Sequence, residues 1–260
     1  MGQFSTHIPK EPLILSLETA TRAGSLALLR GDTPLASSKG VAQESHSVNL
    51  LAQIEALLRE ANVSLSDIEL YATAAGPGSF TGLRIGLATI KAFAATFKRP
   101  CIGVPTLSAI AFAAGISRRT CALLPAGRGE VFAQLFSVSP QMIVSPLNKA
   151  EHIPPQALLE RLNDARTLRW AGAGAQLYAH LIRERARELE ISFEEQEEAT
   201  SPAMEESERW TLAPDVQELA EPIARLALQR TSDNERHGAE DLRAIYVRPS
   251  DAELNTHVKG

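Results

Sequence analysis

The sequence predicts a mixed α/β protein organised as two lobes, each a sheet flanked by helices. Three observations carry this expectation. The chain opens with short apolar runs separated by polar and glycine turns; helix and strand patterns then alternate; and the order partly restarts with a second hairpin near Arg119, although no residue-level repeat is visible. A chain of 260 residues, 44% of them apolar, can bury one large core or two small ones. The restart favours two, over residues 1–108 and 109–260, with the last helix and tail able to pack back on the first lobe.

The elements follow in order. After Pro9 and Pro12, "LILSLETAT", "GSLALLR" and "PLASSKG" read as three strands of an antiparallel meander. Ser47 to Ala61 places Val48, Leu50, Leu51, Ile54, Leu57 and Leu58 at helical spacing, and "IELYATAA" reads as a buried strand. A second helix is expected from Leu83 to Phe97, then the strand "CIGV" and a helix from Pro105 and Thr106 towards Ala114. "RTCALLPAGRGEVFAQLFSV" reads as strand, glycine turn and strand. It is followed by a helix at "PQALLERL", a strand at "TLRWAGAG" and a helix from Gln176 to Glu188. Glu194 to Arg209 is acidic and reads as a solvated connector; a helix from Pro214 to Gln229 and a strand at "LRAIYVR" complete the pattern.

Composition excludes several classes. A net charge of -5 argues against gripping nucleic acid unaided, since phosphate neutralisation needs clustered cations. Cys101 and Cys121 have no metal or disulfide-framework spacing and read as reduced, buried residues. No run approaches the roughly 18 to 20 apolar residues that span a bilayer, and no signal core opens the chain, so a cytoplasmic location is expected. "MGQFST" has the form of a myristoylation signal and "RGD" at Arg30 to Asp32 that of an adhesion motif; both are expected to be coincidental, the second as a hairpin turn.

The densest motif is "AAGPGSFTGLRIG", Ala74 to Gly86, between a strand and a helix, where backbone N–H groups favour an anion. It is not a lysine-bearing phosphate loop, and Pro77 removes one backbone donor. Nor is it G-x-G-x-x-G, so a structural turn is the stronger reading: Gly76, Pro77, Gly78, Ser79, Phe80, Thr81 and Gly82 fix the helix start. Gly78 or Gly82 would supply a positive φ and Thr81 or Ser79 would cap.

"GPGSFTGLRIG", with "LSLETAT" before it and "GVPTLSAIA", "RGEVF" and "IYVRPSDAE" after it in order, resembles the TsaB (YeaZ) family of the ASKHA superfamily, also labelled M22 glycoprotease-like. The resemblance implies an ASKHA (actin/sugar-kinase-like) two-lobed fold. It also implies a role in threonylcarbamoyladenosine synthesis at adenosine 37 of ANN-decoding tRNAs, as a non-catalytic scaffold that binds the catalytic paralogue TsaD and the ATPase TsaE. On this view the chain forms a homodimer when alone, meets tRNA only through the complex, and carries no cofactor, with ATP and metal on the partner subunits. The rival is a free-standing ASKHA enzyme, a small-molecule kinase or M22-type peptidase.

The residues discriminate between these. The catalytic paralogue holds a metal with His-x-x-x-His on its first long helix; here His46 is followed four residues on by Leu50, which cannot ligate, so neither metal ligand pair nor catalytic residue is expected. There is no H-E-x-x-H, and Ser79 is not in G-x-S-x-G. Glu18, Thr19 and Thr21 would form a vestigial nucleotide site, with Glu18 where the family usually has Asp; the same residues fit a hairpin turn. Pro125, Ala126 and Gly127 replace the family's Asp-Ala-Arg, and "GAGA" at Gly172 to Ala175 fits a tight connection. Finally, Leu83, Leu87, Ile90 and Ala94 form one apolar face of the helix after the loop, while Gly82, Ile85, Gly86, Thr89 and Phe93 extend it around the barrel. Such a helix needs two partners: one is its own sheet, and the other is expected to be a second protein, met together with Leu50, Ile54 and Leu57 of the preceding helix, with burial inside one domain as the alternative.

Overall fold

A computed structural model describes residues 8–40, 46–197, 208–231 and 238–247. It divides into two compact units, one taking the described residues up to Ala109 together with Gln217–Ile245, the other those from Ile110 to Val216 and from Tyr246 onward.

In the first unit β1 (Leu13–Glu18) pairs antiparallel with β2 (Ser25–Arg30), and β2 with β3 (Thr33–Lys39). Helix α1 (His46–Glu60) leads through a 3₁₀ turn at Leu65–Asp67 to β4 (Leu70–Gly76), which joins β1 in parallel. Helix α2 (Phe80–Phe97) crosses to β5 (Cys101–Pro105), giving the order β3-β2-β1-β4-β5, and α3 (Thr106–Ala114) follows. β1 and β4 are buried at every position because helices cover both faces of the sheet. Edge strand β3 is mostly exposed and carries Pro34, whose missing N–H is tolerated at an edge.

The second unit begins with the hairpin β6 (Ser117–Gly127) and β7 (Glu130–Val138), turned through Gly127, Arg128 and Gly129 at φ of 80°, 53° and 78°. Short strands β8 (Val144–Pro146) and β9 (Glu151–Ile153) pair with β7; α4 (Pro155–Arg161) and β10 (Leu168–Ala171) follow. Then come α5 (Ala173–Leu177), α6 (Ala179–Glu188), β11 (Ser192–Glu195) and β12 (Arg209–Leu212). The sheet order is β11-β12-β10-β6-β7-β8, with β9 also on β7. Its core centres on Trp170 and Trp210, both fully buried, with ring centroids 5.2 Å apart edge to face. Trp210 Nε1 donates to the Ala165 carbonyl at 2.6 Å. Arg169, 3% exposed, donates to the Ala114 and Ile116 carbonyls at 2.6 and 3.3 Å, partnering carbonyls at the end of α3.

Helix α7 (Ala220–Arg230) packs on β1, β2, β4 and β5 of the first unit. Ser25 Oγ accepts the Ala220 amide at 3.0 Å, and Ser25 lies opposite Glu18. α7 therefore covers the sheet face opposite to the one on which Thr19 and Thr73 meet α2. The "RGD" turn is committed within this unit: Arg30 pairs with Glu69 at 3.4 Å and Asp32 with Arg225 at 3.7 Å.

Several expectations need correction. The last helix starts at Ala220, not Pro214, because Pro222 is tolerated only in a first turn; a start at Pro214 would put its ring against an interior carbonyl. The helix expected from Gln176 is two helices broken at Tyr178. α2 begins at Phe80, three residues before Leu83, because Ser79 caps it. The described part of "LRAIYVR" is not a strand. The ends of the acidic connector are β11 and β12, and β8 and β9 had no clear period-2 signal. "MGQFST", the middle of the connector and the end of the tail motif lie outside the described residues.

Trp210→Ala should lower unfolding stability by about 3–5 kcal/mol in urea titration, whereas Trp210→Phe, which keeps much of the apolar body but leaves the Ala165 carbonyl unpaired, should cost about 1–3 kcal/mol.

Candidate functional site: a helical docking face

The glycine loop is built by close approach to the β1–β2 turn. A side chain at Gly82 would overlap the Thr19 carbonyl oxygen, and one at Gly86 would overlap Thr19 Oγ1 and come within 3.1 Å of Thr73 Oγ1. At Gly78 an added Cβ would sit 2.7 Å from the Ala20 Cβ. Thr19 Oγ1 donates to the Gly82 carbonyl at 2.8 Å, and the Ser79 amide donates to the Ala20 carbonyl at 2.7 Å. Ser79 Oγ caps α2 by accepting the Gly82 amide at 3.2 Å. Of the glycines in the loop, Gly76, at φ 115°, holds the clearly glycine-favouring backbone, and Gly82 is required for contact, not for φ. The amides of Ser79, Gly82 and Leu83 are spent within the chain, which leaves the loop poorly equipped as a phosphate cradle.

This corrects the expected partner contact. Gly82 and Gly86 face the sheet of their own unit, and Leu50, Ile54 and Leu57 are 6%, 2% and 1% exposed in its core. Their spacing marks the inward stripe, and a helix's outward residues are the ones that the same spacing skips. Ile85, Thr89 and Phe93 are half-buried on the flank of α2, where Thr89 Oγ1 donates to the Ile85 carbonyl at 2.9 Å and Phe93 lies 5.9 Å from the Tyr71 ring. Beyond them lie exposed Ala88 and Ala92, and on α1 the side chain of Leu51, 65% exposed. Those three were missed, and the signal was present: after the inward stripe is removed, apolar residues remain on the other side. At one end of this face a groove of about 750 Å³ is lined by Leu51, Ile54, Leu58, Val63, Leu65 and Phe93. The Glu55–Arg59 ion pair and Asp67 also line it. The Asp67 carboxylate is held below its usual range first by the Ser64 amide and then by the Ser64 hydroxyl. At the loop end of α2, Arg84 stacks on Phe80, 3.9 Å from its centroid.

The remaining candidates are turned inward. Glu18 is fully buried and its carboxylate accepts from the Thr21 amide at 2.7 Å and the Thr21 hydroxyl at 2.6 Å, closing the β1–β2 turn; Thr19 is 1% exposed. Gly172, at φ 89°, and Gly174 allow close approach to Leu123. Both cysteines are buried; burial pushes the Cys101 thiol up to about 12, with Glu240 adding to it, and the Cys121 thiol higher still. α1 starts at His46 and turns Leu50 into the core. Among the described residues no group of three or more His, Cys, Asp or Glu side chains is placed to hold a metal ion, and no helix is long and apolar enough to cross a membrane.

The family model of TsaD, tRNA N6-adenosine threonylcarbamoyltransferase, matches residues 38–255. The chain is 37% identical over 122 residues to the tRNA threonylcarbamoyladenosine biosynthesis protein TsaB of Escherichia coli (strain K12), covering 46% of this chain and 52% of that protein. With TsaB of Bacillus subtilis (strain 168) it shares 31% identity over 128 residues, 47% of this chain and 54% of that one. The chain thus spans about half the length of the curated relatives it matches. Among solved structures, YeaZ from Pseudomonas aeruginosa superimposes with a TM-score of 0.69 at 27% identity over 90% of this chain and 99% of that one. A second Pseudomonas aeruginosa structure, of a protein with similarity to peptidase YEAZ, gives 0.71 at 26% over 91% and 100%. The α/β fold is thus of the ASKHA type that the resemblance implied.

Gly86→Ala should destabilise the fold by about 1–3 kcal/mol through overpacking against Thr19, and Gly86→Arg should fail to fold, whereas Ala92→Arg should stay within about 0.5 kcal/mol of wild type. Urea unfolding followed by circular dichroism makes the comparison.

Proposed function

The chain belongs to the TsaD family, tRNA N6-adenosine threonylcarbamoyltransferase, and on that premise we propose that it is a TsaB-type accessory subunit, a non-catalytic cytoplasmic scaffold for threonylcarbamoyl transfer to adenosine 37 of ANN-decoding tRNAs. It docks the catalytic paralogue TsaD, with TsaE joining the assembly, and self-associates when alone. ATP and metal belong to those partners.

The observation that carries this reading is the outward face of α1 and α2. Once the sheet is covered, Leu51, Ala88 and Ala92 remain exposed beside half-buried Ile85, Thr89 and Phe93, so two adjacent helices present apolar and small side chains to a further layer. Small residues let a second pair of helices approach closely, and the groove beside Phe93 admits an apolar anchor. Two further features support an accessory role. The position four residues after His46 is a core leucine, so the inward stripe of α1 is spent on packing. The net charge of -5 leaves little for independent tRNA binding, which is therefore assigned to the complex.

Reconstitution tests the proposal. Modified adenosine should form when this chain is combined with its cognate TsaD, TsaE, the carbamoyl-adenylate synthetase, ATP and tRNA, and should not form with this chain alone. Leu51→Glu and Ala92→Arg should keep the fold yet reduce modification and pull-down of TsaD at least tenfold. Burying an unpaired charge costs several kcal/mol, against about 8 kcal/mol for a micromolar complex. Turnover by the isolated chain would contradict the scaffold role, and full activity of both variants would move the docking face elsewhere.

A further inference from the structure

The glycine loop has a second wall that the docking reading leaves unused. On one side it leans on Thr19 and Ala20; on the other it meets the segment from Gly238 to Ile245, which follows α7. The Ile245 amide donates to the Ala75 carbonyl at 2.7 Å, and a side chain at Gly76 would overlap the Ile245 carbonyl oxygen. Three residues earlier Leu242, 4% exposed, fills a hollow where Gly103 lacks a side chain; an added Cβ there would sit 2.7 Å from Leu242 Cδ1 and 3.1 Å from the Ala75 Cβ. The Gly103 carbonyl in turn accepts Arg230 Nη1 from the end of α7 at 2.8 Å.

This segment is not a strand of the sheet. The Ile245 amide and the Leu242 side chain fasten it at the C-terminal ends of β4 and β5, at the point where β4 passes into the loop. Such an attachment is weaker than a ladder and opens at lower free energy than the strands beneath it. We propose that residues 238–245 are a releasable strap that holds Gly76 to Ser79 in place, so that detaching it loosens the loop and frays the Ser79 cap of α2. Ala75 and Gly76 transmit the change: the carbonyl that loses its donor and the backbone that loses its wall immediately precede Pro77 and Ser79. The loop is then fastened on the Thr19–Ala20 side alone. Whether the docking face feels the strap rests on the function proposed above; the coupling of strap to loop does not.

Amide hydrogen exchange in the 260-residue chain, comparing wild type with Leu242→Ser, tests the coupling. The expected result is that Ile245 exchanges at least about tenfold faster and that Gly82 and Leu83, whose amides are tied to Ser79, accelerate with it, while Ile54 and Leu57 of α1 stay as in wild type. The proposal is overturned if Ile245 accelerates while Gly82 and Leu83 do not, or if Ile245 itself is unmoved. If Leu242→Ser loses its circular dichroism spectrum, Gly103→Ala, which crowds the same leucine by one methyl group, is put to the same measurement, and the same results support or overturn the coupling. TsaD binding by the loosened variant should weaken; unchanged binding alongside coupled exchange would leave the strap standing with its effect confined to the loop, and the docking face is judged separately by Leu51→Glu and Ala92→Arg.

Discussion

The Thr19 carbonyl lies so close to the Cα of Gly82 that no side chain fits between them, and much of the first unit's arrangement depends on that approach. It brings the first turn of α2 down onto the end of β1, where Thr19 Oγ1 reaches the Gly82 carbonyl, and one turn later Gly86 accommodates the same threonine and Thr73. A Cβ at Gly82 would meet the Thr19 backbone and lift the helix off the sheet, whereas one at Gly86 would crowd the Thr19 and Thr73 hydroxyls. With the helix seated, Leu83, Leu87, Ile90 and Ala94 are buried, which fixes the helix's rotation and so decides what remains outside.

What remains outside is unusual for a surface helix. The outer side of α2 carries Ala88 and Ala92 in place of a run of charges, and Leu51 of α1 is 65% exposed. An apolar helical face beside a groove is the chemistry of an interface core, where charged residues are depleted. Charged groups border it: Arg84 stacks on Phe80 near the loop, half-buried Lys91 lies between Ala88 and Ala92 in sequence, and Glu55, one turn beyond Leu51, pairs with Arg59. The seating of α2 by its two glycines thus leaves a small apolar patch bordered by charged groups, the surface on which the proposed function rests.

Much of the fold was legible because periodicity reports burial. The meander, α1, β4 and α2 were readable from their spacing, since each has one or both faces committed to a core. The start of α7 was not, because propensity alone does not say which turn a proline must occupy; Pro222 does so only once the helix register is known. β8, β9 and β11 are three or four residues long, too short for alternation to show. For the candidate site the helix was legible but its orientation was not. Glycines four apart signal close approach to something, and the sequence cannot distinguish the helix's own sheet from another chain; here the neighbour is Thr19. The apolar residues left exposed are the ones between the periodic positions.

The most direct test of the central claim maps the interface itself. Hydrogen exchange by mass spectrometry should be measured on the full chain with and without saturating TsaD. The account predicts new protection concentrated in the peptides spanning α1 and α2, strongest around Leu51 and from Ile85 to Phe93, with little change in β6 to β12. Protection confined to the second unit, or to edge strand β3, with α1 and α2 unchanged, would contradict it.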